Sequence, residues 1–183
     1  MGHTGGTKTG SARLGGKGET VEIDGGYFGG YVKPANRREK RRDRRRTENQ
    51  SGKRQCVVVV RQRDGMTLPG AFGSEAAALS FIHARVAAET EIHADEASGW
   101  DALHAHYTVK RINHQVAYSL DGANTNGAES FFSRMRRAEI GHHHHIAGTY
   151  LARYAQEAGW REDHRRDSNG TQARQVVGLA LRA

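Results

Sequence analysis

The sequence predicts a mixed α/β domain in which a sheet of five strands is flanked by helices. Two observations carry this prediction: three β-type segments come first along the chain, and later β-type segments alternate with segments of helical periodicity. Consecutive strands favour an antiparallel unit, whereas later strands are added through helical crossovers. The predicted order is three strands, a helix, a strand, a helix, a strand and two helices.

The first strand is predicted over residues 19–24, where apolar and polar residues alternate and Asp24 stands last. The run at 56–60 is apolar and β-branched, which is typical of a buried central strand. A weaker third strand covers 66–69, and Pro69 indicates an edge or a strand end. The last two strands are predicted over 91–95 and 108–115.

Helical periodicity begins after Ser74, which can cap a helix that runs to about residue 89. A short helix is predicted over 100–106, and longer ones over 126–140 and 146–158. The predicted apolar stripes of the three main helices are, in order, Ala78, Leu79, Ile82 and Val86; Ala128, Phe131, Phe132 and Met135; and Ile146, Tyr150 and Tyr154.

Composition divides the chain into a domain and its additions. Residues 1–17 are almost free of apolar side chains and predict a flexible lead-in. The domain is predicted over 18–165, with a basic insert at 33–54. The tail at 166–183 is polar and arginine-rich, then briefly apolar.

The charge balance favours a polyanionic partner. The 28 Lys and Arg residues exceed the 20 Asp and Glu residues, which gives a net charge of +8. No apolar run approaches the roughly 18 residues that span a bilayer, and there is no secretory signal, so we expect a cytoplasmic protein without a membrane partner. A membrane-surface role is least favoured because the basic run lacks an apolar face.

The densest positive charge lies in the insert. We interpret the run as a contact to the DNA backbone, because clustered arginines suit phosphate, although a solvated loop remains the alternative. The candidate DNA-binding arginines are Arg37, Arg38, Arg41, Arg42, Arg44, Arg45 and Arg46.

Cysteine and histidine usage restricts the possible sites. The single cysteine, Cys56, excludes an internal disulfide and a cysteine-rich zinc site, and its apolar strand predicts burial. The four histidines at 142–145 are predicted to form a turn between two helices. Two alternative roles of these histidines remain, a zinc or nickel site and a contact to DNA phosphate.

Three acidic residues stand where a metal site could be built. Asp24 and Asp95 end predicted strands, and Glu129 lies in the first turn of a helix, 34 positions after Asp95. Magnesium prefers oxygen ligands, and two such ions can drive phosphoryl transfer. The spacing alone is weak support, because 20 acidic residues give many such trios. Arg136, seven positions after Glu129, faces the same way and suits a DNA phosphate, although an ordinary solvated face is equally compatible.

Several sequence motifs surround these carboxylates, among them VEID at 21–24 with YFGG at 27–30, and ADE at 94–96 with Trp100 and INH at 112–114. These two sets resemble the first and second catalytic blocks of ISXO-like insertion-sequence transposases. NTNGAESFFS at 124–133 resembles the third block, which is the most diagnostic. YLARY at 150–154 with WRED at 160–163 resembles the last helix. The resemblance covers about residues 18–165.

This resemblance implies a ribonuclease-H-like core and a DDE metal site. Asp24, Asp95 and Glu129 match the family's catalytic and metal-binding positions, with Mg²⁺ as the ion and Mn²⁺ as a substitute. Arg136 falls where a DNA-positioning basic residue is expected. Two further matches, which neighbour the site, are Asn126 and His114.

The implied activity is cleavage at insertion-sequence ends and strand transfer into target DNA, by a homo-oligomer on paired ends. Gly25 departs from the family, because many members have an acidic residue there. The chain also lacks the cysteine pairs of the usual N-terminal region, so we expect a truncated copy. An inactive remnant that only binds DNA and a ribonuclease-H-like nuclease that cuts without joining remain alternatives.

Overall fold

The computed structural model describes residues 13–29, 35–41, 52–112, 124–144 and 146–181. Its strands are β1 (Thr20–Phe28), β2 (Gln55–Gln62), β3 (Thr67–Phe72), β4 (Glu91–Asp95) and β5 (Thr108–Ile112). Its α-helices are α1 (Leu79–Arg85), α2 (Asn126–Ala138), α3 (Gly148–His164) and α4 (Asn169–Ala180). Short 3₁₀ segments cover Arg38–Lys40, Ala76–Ala78 and Ser98–Ala105, and a π-helical turn covers Glu139–His143.

The five strands form one mixed sheet in the order β3-β2-β1-β4-β5. β1, β2 and β3 pair antiparallel, whereas β4 lies parallel to β1, and β5 parallel to β4. The predicted antiparallel unit and the later crossover strands are therefore confirmed. The architecture is that of a ribonuclease-H-like α/β fold. β3 is an edge strand, as Pro69 predicted.

Both faces of the sheet are covered. On one face, Val21 and Ile23 of β1 lie in a core that includes Ile82 of α1 and Trp100. On the other face, Phe28 of β1 packs with residues of α2 and α3. Burial on both faces explains the uninterrupted apolar run in β2, whose side chains alternate between the two cores.

β1 is longer than the sequence predicts. Asp24 was expected to end the strand, but the strand continues through two glycines to Phe28. The glycines stay extended because Gly25 pairs with Val58 and Gly26 pairs with Val57 of β2. A Cβ on Gly26 would be 2.8 Å from the Phe132 ring, so the missing side chain lets α2 pack closely on β1. Asp24 therefore lies within the central strand.

The lead-in is not wholly separate from the core. Leu14, predicted to lie in a flexible segment, is buried and forms a bridge to Val86. Its N–H donates to the carbonyl of Arg85 at 2.6 Å. The cause is hydrophobic: Leu14 closes the core beside the end of α1. Residues 1–12 lie outside the described residues.

α1 is shorter than predicted. Ser74 does accept a hydrogen bond from the Ala77 N–H at 3.3 Å, but the first turn is 3₁₀ and α1 ends at Arg85 instead of residue 89. Val86 becomes extended to pair with Leu14, which stops the helix.

α3 also differs from its prediction, beginning at Gly148 and ending at His164. Tyr150 was expected on its buried face but is 53% exposed, and Leu151 and Ala155 are buried instead. Small residues face the sheet because a Cβ on Gly159 would lie 3.0 Å from Pro69.

The predicted C-terminal tail contains the helix α4. The Ser168 hydroxyl accepts a hydrogen bond from the Thr171 N–H at 3.3 Å and so caps its first turn. No residue of α4 is buried, so this helix contributes to neither core. Within the described parts of the chain, no helix is both long and apolar enough to cross a bilayer.

Candidate active site

Asp24 is the centre of the candidate site. It lies on the face of β1 that α2 covers, and its own oxygen accepts a hydrogen bond from the Gly25 N–H at 2.7 Å. The pKa of its carboxyl is raised to about 7, chiefly by burial and also by the nearby charges of Asp95 and Glu129. The Gly25 N–H and the Arg136 charge act in the opposite direction. The structure therefore brings Asp24, Asp95, Glu129 and Arg136 into one electrostatic neighbourhood.

Asp95 ends β4, as the sequence predicts. β1 and β4 are parallel neighbours, and Ile23 pairs with Ala94. Asp24 and Asp95, the next residue on each strand, therefore lie next to each other. One oxygen of Asp95 accepts hydrogen bonds from the Trp100 indole N–H at 2.8 Å and from the backbone N–H of the residue at 97 at 3.2 Å. Those two donors fix the orientation of the carboxylate.

Glu129 projects from the first turn of α2. The Thr125 hydroxyl donates a hydrogen bond to its Oε1 at 3.2 Å, which restricts the rotation of the side chain. The predicted stripe of α2 is confirmed, because Ala128, Phe131, Phe132 and Met135 are all buried. With that stripe buried against the sheet, Glu129 lies close enough to Asp24 for its charge to raise the pKa of Asp24.

Arg136 lies further along α2, on the same side as Glu129. Its guanidinium stands over the rings of Phe28 and Phe132, 5.8 and 5.7 Å from their centroids. Cation–π contacts of this kind orient a guanidinium while leaving its N–H groups available. The predicted proximity of Arg136 to the carboxylates agrees with its effect on the pKa of Asp24.

The chemistry of these donors suits a hard divalent cation. Asp24, Asp95 and Glu129 offer carboxylate oxygens, and a cation would relieve the repulsion that raises the pKa of Asp24. Among the described residues, however, no three acidic, histidine or cysteine side chains converge tightly enough to hold an ion together. The arrangement is three carboxylates in electrostatic contact around a buried strand.

A fourth carboxylate, Glu75, lies near Asp95 and was not predicted from the sequence. Burial raises its pKa, and so does the charge of Asp95. Its side chain fills the space beside Gly25, because a Cβ there would lie 2.7 Å from the Cγ of Glu75. The departure from the family at Gly25 was the available signal, since a missing side chain leaves room for another.

The remaining predicted residues lie elsewhere or outside the described parts of the chain. Asn126 begins α2 and is exposed. Arg37, Arg38 and Arg41 are exposed around a single 3₁₀ turn, where Arg41 donates to the Ala35 carbonyl at 3.2 Å. The other predicted site residues, namely Arg42, Arg44, Arg45, Arg46 and His114, lie outside the described residues.

Two further features match their predictions. Cys56 is fully buried in β2, and burial is the main cause that raises the pKa of its thiol to about 12. His142 and His143 of the histidine run lie in the π-helical turn between α2 and α3, and the ring centroids of His143 and Tyr154 are 4.4 Å apart. His145 lies outside the described residues.

The comparisons with known proteins bear on the same stretch of chain. Residues 13–163 match the model of the ISXO2-like transposase domain, a span that holds the whole sheet and all the candidate carboxylates. No curated protein and no solved structure matches. The matched span is most of the 183 residues, so the chain belongs to the ISXO2-like transposase domain family.

Proposed function

We propose that this transposase-family domain is a metal-dependent DDE enzyme that cleaves phosphodiester bonds at insertion-sequence ends and transfers the strand into target DNA. The observation that carries the proposal is the carboxylate of Asp24, whose pKa rises to about 7 through burial and the charges of Asp95 and Glu129. A natural protein keeps such repulsion where a ligand or a reaction uses it, so perturbed carboxylates are candidates for function.

The proposed metal ligands are Asp24, Asp95 and Glu129, with Mg²⁺ as the ion and Mn²⁺ as a substitute. When bound, the ion supplies Lewis-acid activation of the phosphodiester and of the attacking oxygen. Asp24 offers its carboxylate from a rigid central strand. Trp100 holds Asp95 in orientation, and Thr125 does the same for Glu129.

DNA is the proposed partner. Arg136, held over two aromatic rings near the carboxylates, would contact a phosphate next to the scissile bond. The arginines at 37, 38, 41, 42, 44, 45 and 46 would contact the DNA backbone, in agreement with a net charge of +8. The proposed active form is a homo-oligomer that holds two element ends.

The test is nicking of supercoiled plasmid in Mg²⁺ or Mn²⁺, which requires no knowledge of the element ends. Asp95→Asn keeps an oxygen that can accept from Trp100 but removes the charge, so we expect nicking to be lost. Asp101→Ala is the control, because Asp101 is exposed and pairs with Arg111. Full activity in Asp95→Asn would overturn the assignment.

Two other outcomes would favour the alternatives. Salt-sensitive DNA binding without nicking by any variant would support an inactive remnant, an alternative favoured by the absence of a convergent metal cluster among the described residues. Nicking without strand transfer of a pre-cut end would support a ribonuclease-H-like nuclease. Strand transfer by the wild-type chain that Asp95→Asn abolishes would support the transposase.

A further inference from the structure

Glu22 is a buried carboxylate that faces the start of α2. It lies two residues before Asp24 on β1, so both side chains point to the same face of the sheet. Its Oε2 accepts hydrogen bonds from the N–H groups of Gly127 at 2.7 Å and Ala128 at 3.0 Å. Only 4% of the Glu22 side chain is exposed.

These two N–H groups belong to the first turn of α2, where a helix has no internal acceptors. An N-cap side chain usually supplies the acceptor, but the hydroxyl of Thr125 donates to Glu129. The carboxylate of Glu22 takes that place from another element, and its charge also suits the positive end of the helix.

The surroundings of Glu22 keep the contact in one geometry. A Cβ on Gly127 would lie 2.8 Å from Glu22 Oε2, so glycine is needed for this approach. The Arg63 guanidinium lies 3.5 Å from Glu22 Oε1 and balances the buried charge. Arg61 donates to the Gly127 carbonyl at 3.0 Å, which holds the same peptide from its other side.

We infer that Glu22 is a positioning residue that sets the place of Glu129 relative to Asp24. Asp24 follows Glu22 by two residues on the strand, and Glu129 follows Ala128 directly on the helix. One buried side chain therefore joins the two elements that carry these carboxylates. The inference rests on the proposed function, in which Asp24 and Glu129 hold the same metal centre.

The test measures the binding of Mn²⁺ alone to the full chain. The readout is the electron paramagnetic resonance signal of the free ion, which decreases as the ion binds. Glu22→Ala removes both hydrogen bonds, and we expect Mn²⁺ affinity to fall by about 10- to 100-fold, the usual effect of losing a group that orients a ligand. Glu22→Gln keeps one carbonyl acceptor and should lose less. Circular dichroism and the thermal midpoint establish that each variant is folded.

Asp163→Asn is the matched control. Asp163 is an exposed residue whose carboxylate accepts a hydrogen bond from the Thr67 N–H at 3.1 Å, and so ties α3 to β3. A purely structural role for Glu22 would make both variants less stable without changing the Mn²⁺ affinity of the folded protein. The positioning role predicts that only the Glu22 variants lose affinity. Amide exchange at Gly127 and Ala128 should accelerate in Glu22→Ala.

The outcomes separate the two proposals. Wild-type protein that binds no Mn²⁺, or binds it equally after Asp24→Asn, overturns the proposed function and this inference with it. Wild-type protein whose Mn²⁺ binding depends on Asp24, together with a folded Glu22→Ala variant of unchanged affinity, overturns the positioning role alone. A graded loss from Glu22→Gln to Glu22→Ala, with Asp163→Asn unaffected, supports both.

Discussion

Glu75 occupies the space that a side chain at Gly25 would need. A Cβ on Gly25 would lie 2.7 Å from the Cγ of Glu75, closer than real Cβ atoms approach. A Cβ on Gly99 would meet the same side chain at 2.8 Å. Two glycines therefore leave room for one carboxylate beside β1, close enough to Asp95 for the charge of Asp95 to raise the pKa of Glu75.

Gly25→Ala should lower the free energy of unfolding by about 1–3 kcal/mol, the usual cost of overpacking. The cause is the collision with Glu75, so the loss should shrink in a Glu75→Ala background. Urea denaturation of the two single variants and the double variant measures this coupling. Gly178→Ala is the control, since nothing lies within 4 Å of that position. If Gly25→Ala lowered the free energy of unfolding equally in the wild-type and Glu75→Ala backgrounds, the collision with Glu75 would not be the cause.

The pKa of Asp24 predicts how stability depends on pH without metal. Its pKa rises from 3.8 to about 7 on folding, so between these values the folded state holds a proton that the unfolded state has released. The Asp24 contribution to the free energy of unfolding is therefore lost as pH rises from about 4 to about 7. Asp24→Asn should remove this loss and be more stable than wild type at pH 8.

Urea denaturation across this pH range, without metal, gives the difference in the free energy of unfolding between the wild type and Asp24→Asn. That difference should grow up to about pH 7 and then stay constant. Saturating Mg²⁺ should stabilise the wild type and not Asp24→Asn, because a bound cation reverses the electrostatic cost at the carboxylate. A difference that is independent of pH would mean that Asp24 has an ordinary pKa.

Arg136→Ala should weaken DNA binding. It should also reduce the slope of log affinity against log salt concentration by about 1, the value expected for the loss of one phosphate contact. Arg136→Lys should retain the salt dependence, because the charge stays, but lose the planar contact with Phe28 and Phe132. Fluorescence anisotropy at several salt concentrations measures both effects. Arg137→Ala is the neighbouring control and should change the salt dependence less. Equal effects at 136 and 137 would argue for nonspecific attraction only.

Glu162→Ala should destabilise the fold by about 3–5 kcal/mol, because it leaves Arg61, whose side chain is only 16% exposed, without its charged partner. Glu162 Oε1 lies 2.9 Å from the guanidinium of Arg61, an ion pair without hydrogen-bond geometry. Its other oxygen pairs with Arg134 of α2. The control is Glu157→Ala, an exposed pair with Arg161 that should be worth about 0.3–0.5 kcal/mol. If urea denaturation showed similar losses in the free energy of unfolding for Glu162→Ala and Glu157→Ala, burial would not explain the stability of the Glu162 ion pairs.

The sheet could be predicted from the sequence because its signals are local. Alternation in β1 and the β-branched run in β2 each arise within a few residues, and β4 occurs at the predicted residues. The end of β1 was missed because two consecutive glycines resemble a turn. They remain extended because they pair with Val58 and Val57 of β2, which is a separate segment of the sequence.

The site was predicted only in part for the same reason. Asp24, Asp95 and Glu129 stand in sequence motifs, and Arg136 follows Glu129 at helical spacing, so the sequence could select them. Glu22 and Glu75 contact Gly127 and Gly25 across the fold, and nothing near them in the sequence indicates those partners. Tertiary contacts of this kind become visible only in three dimensions.

The hydrogen bonds between β1 and α2 span 105 and 106 positions. Such distant contacts form late, because a long loop must close before they add any stability. During synthesis, the strand that carries Asp24 leaves the ribosome long before α2 does. A nascent chain therefore cannot complete the candidate cutting centre until the start of α2 has emerged, and a chain stopped before residue 126 would never close it.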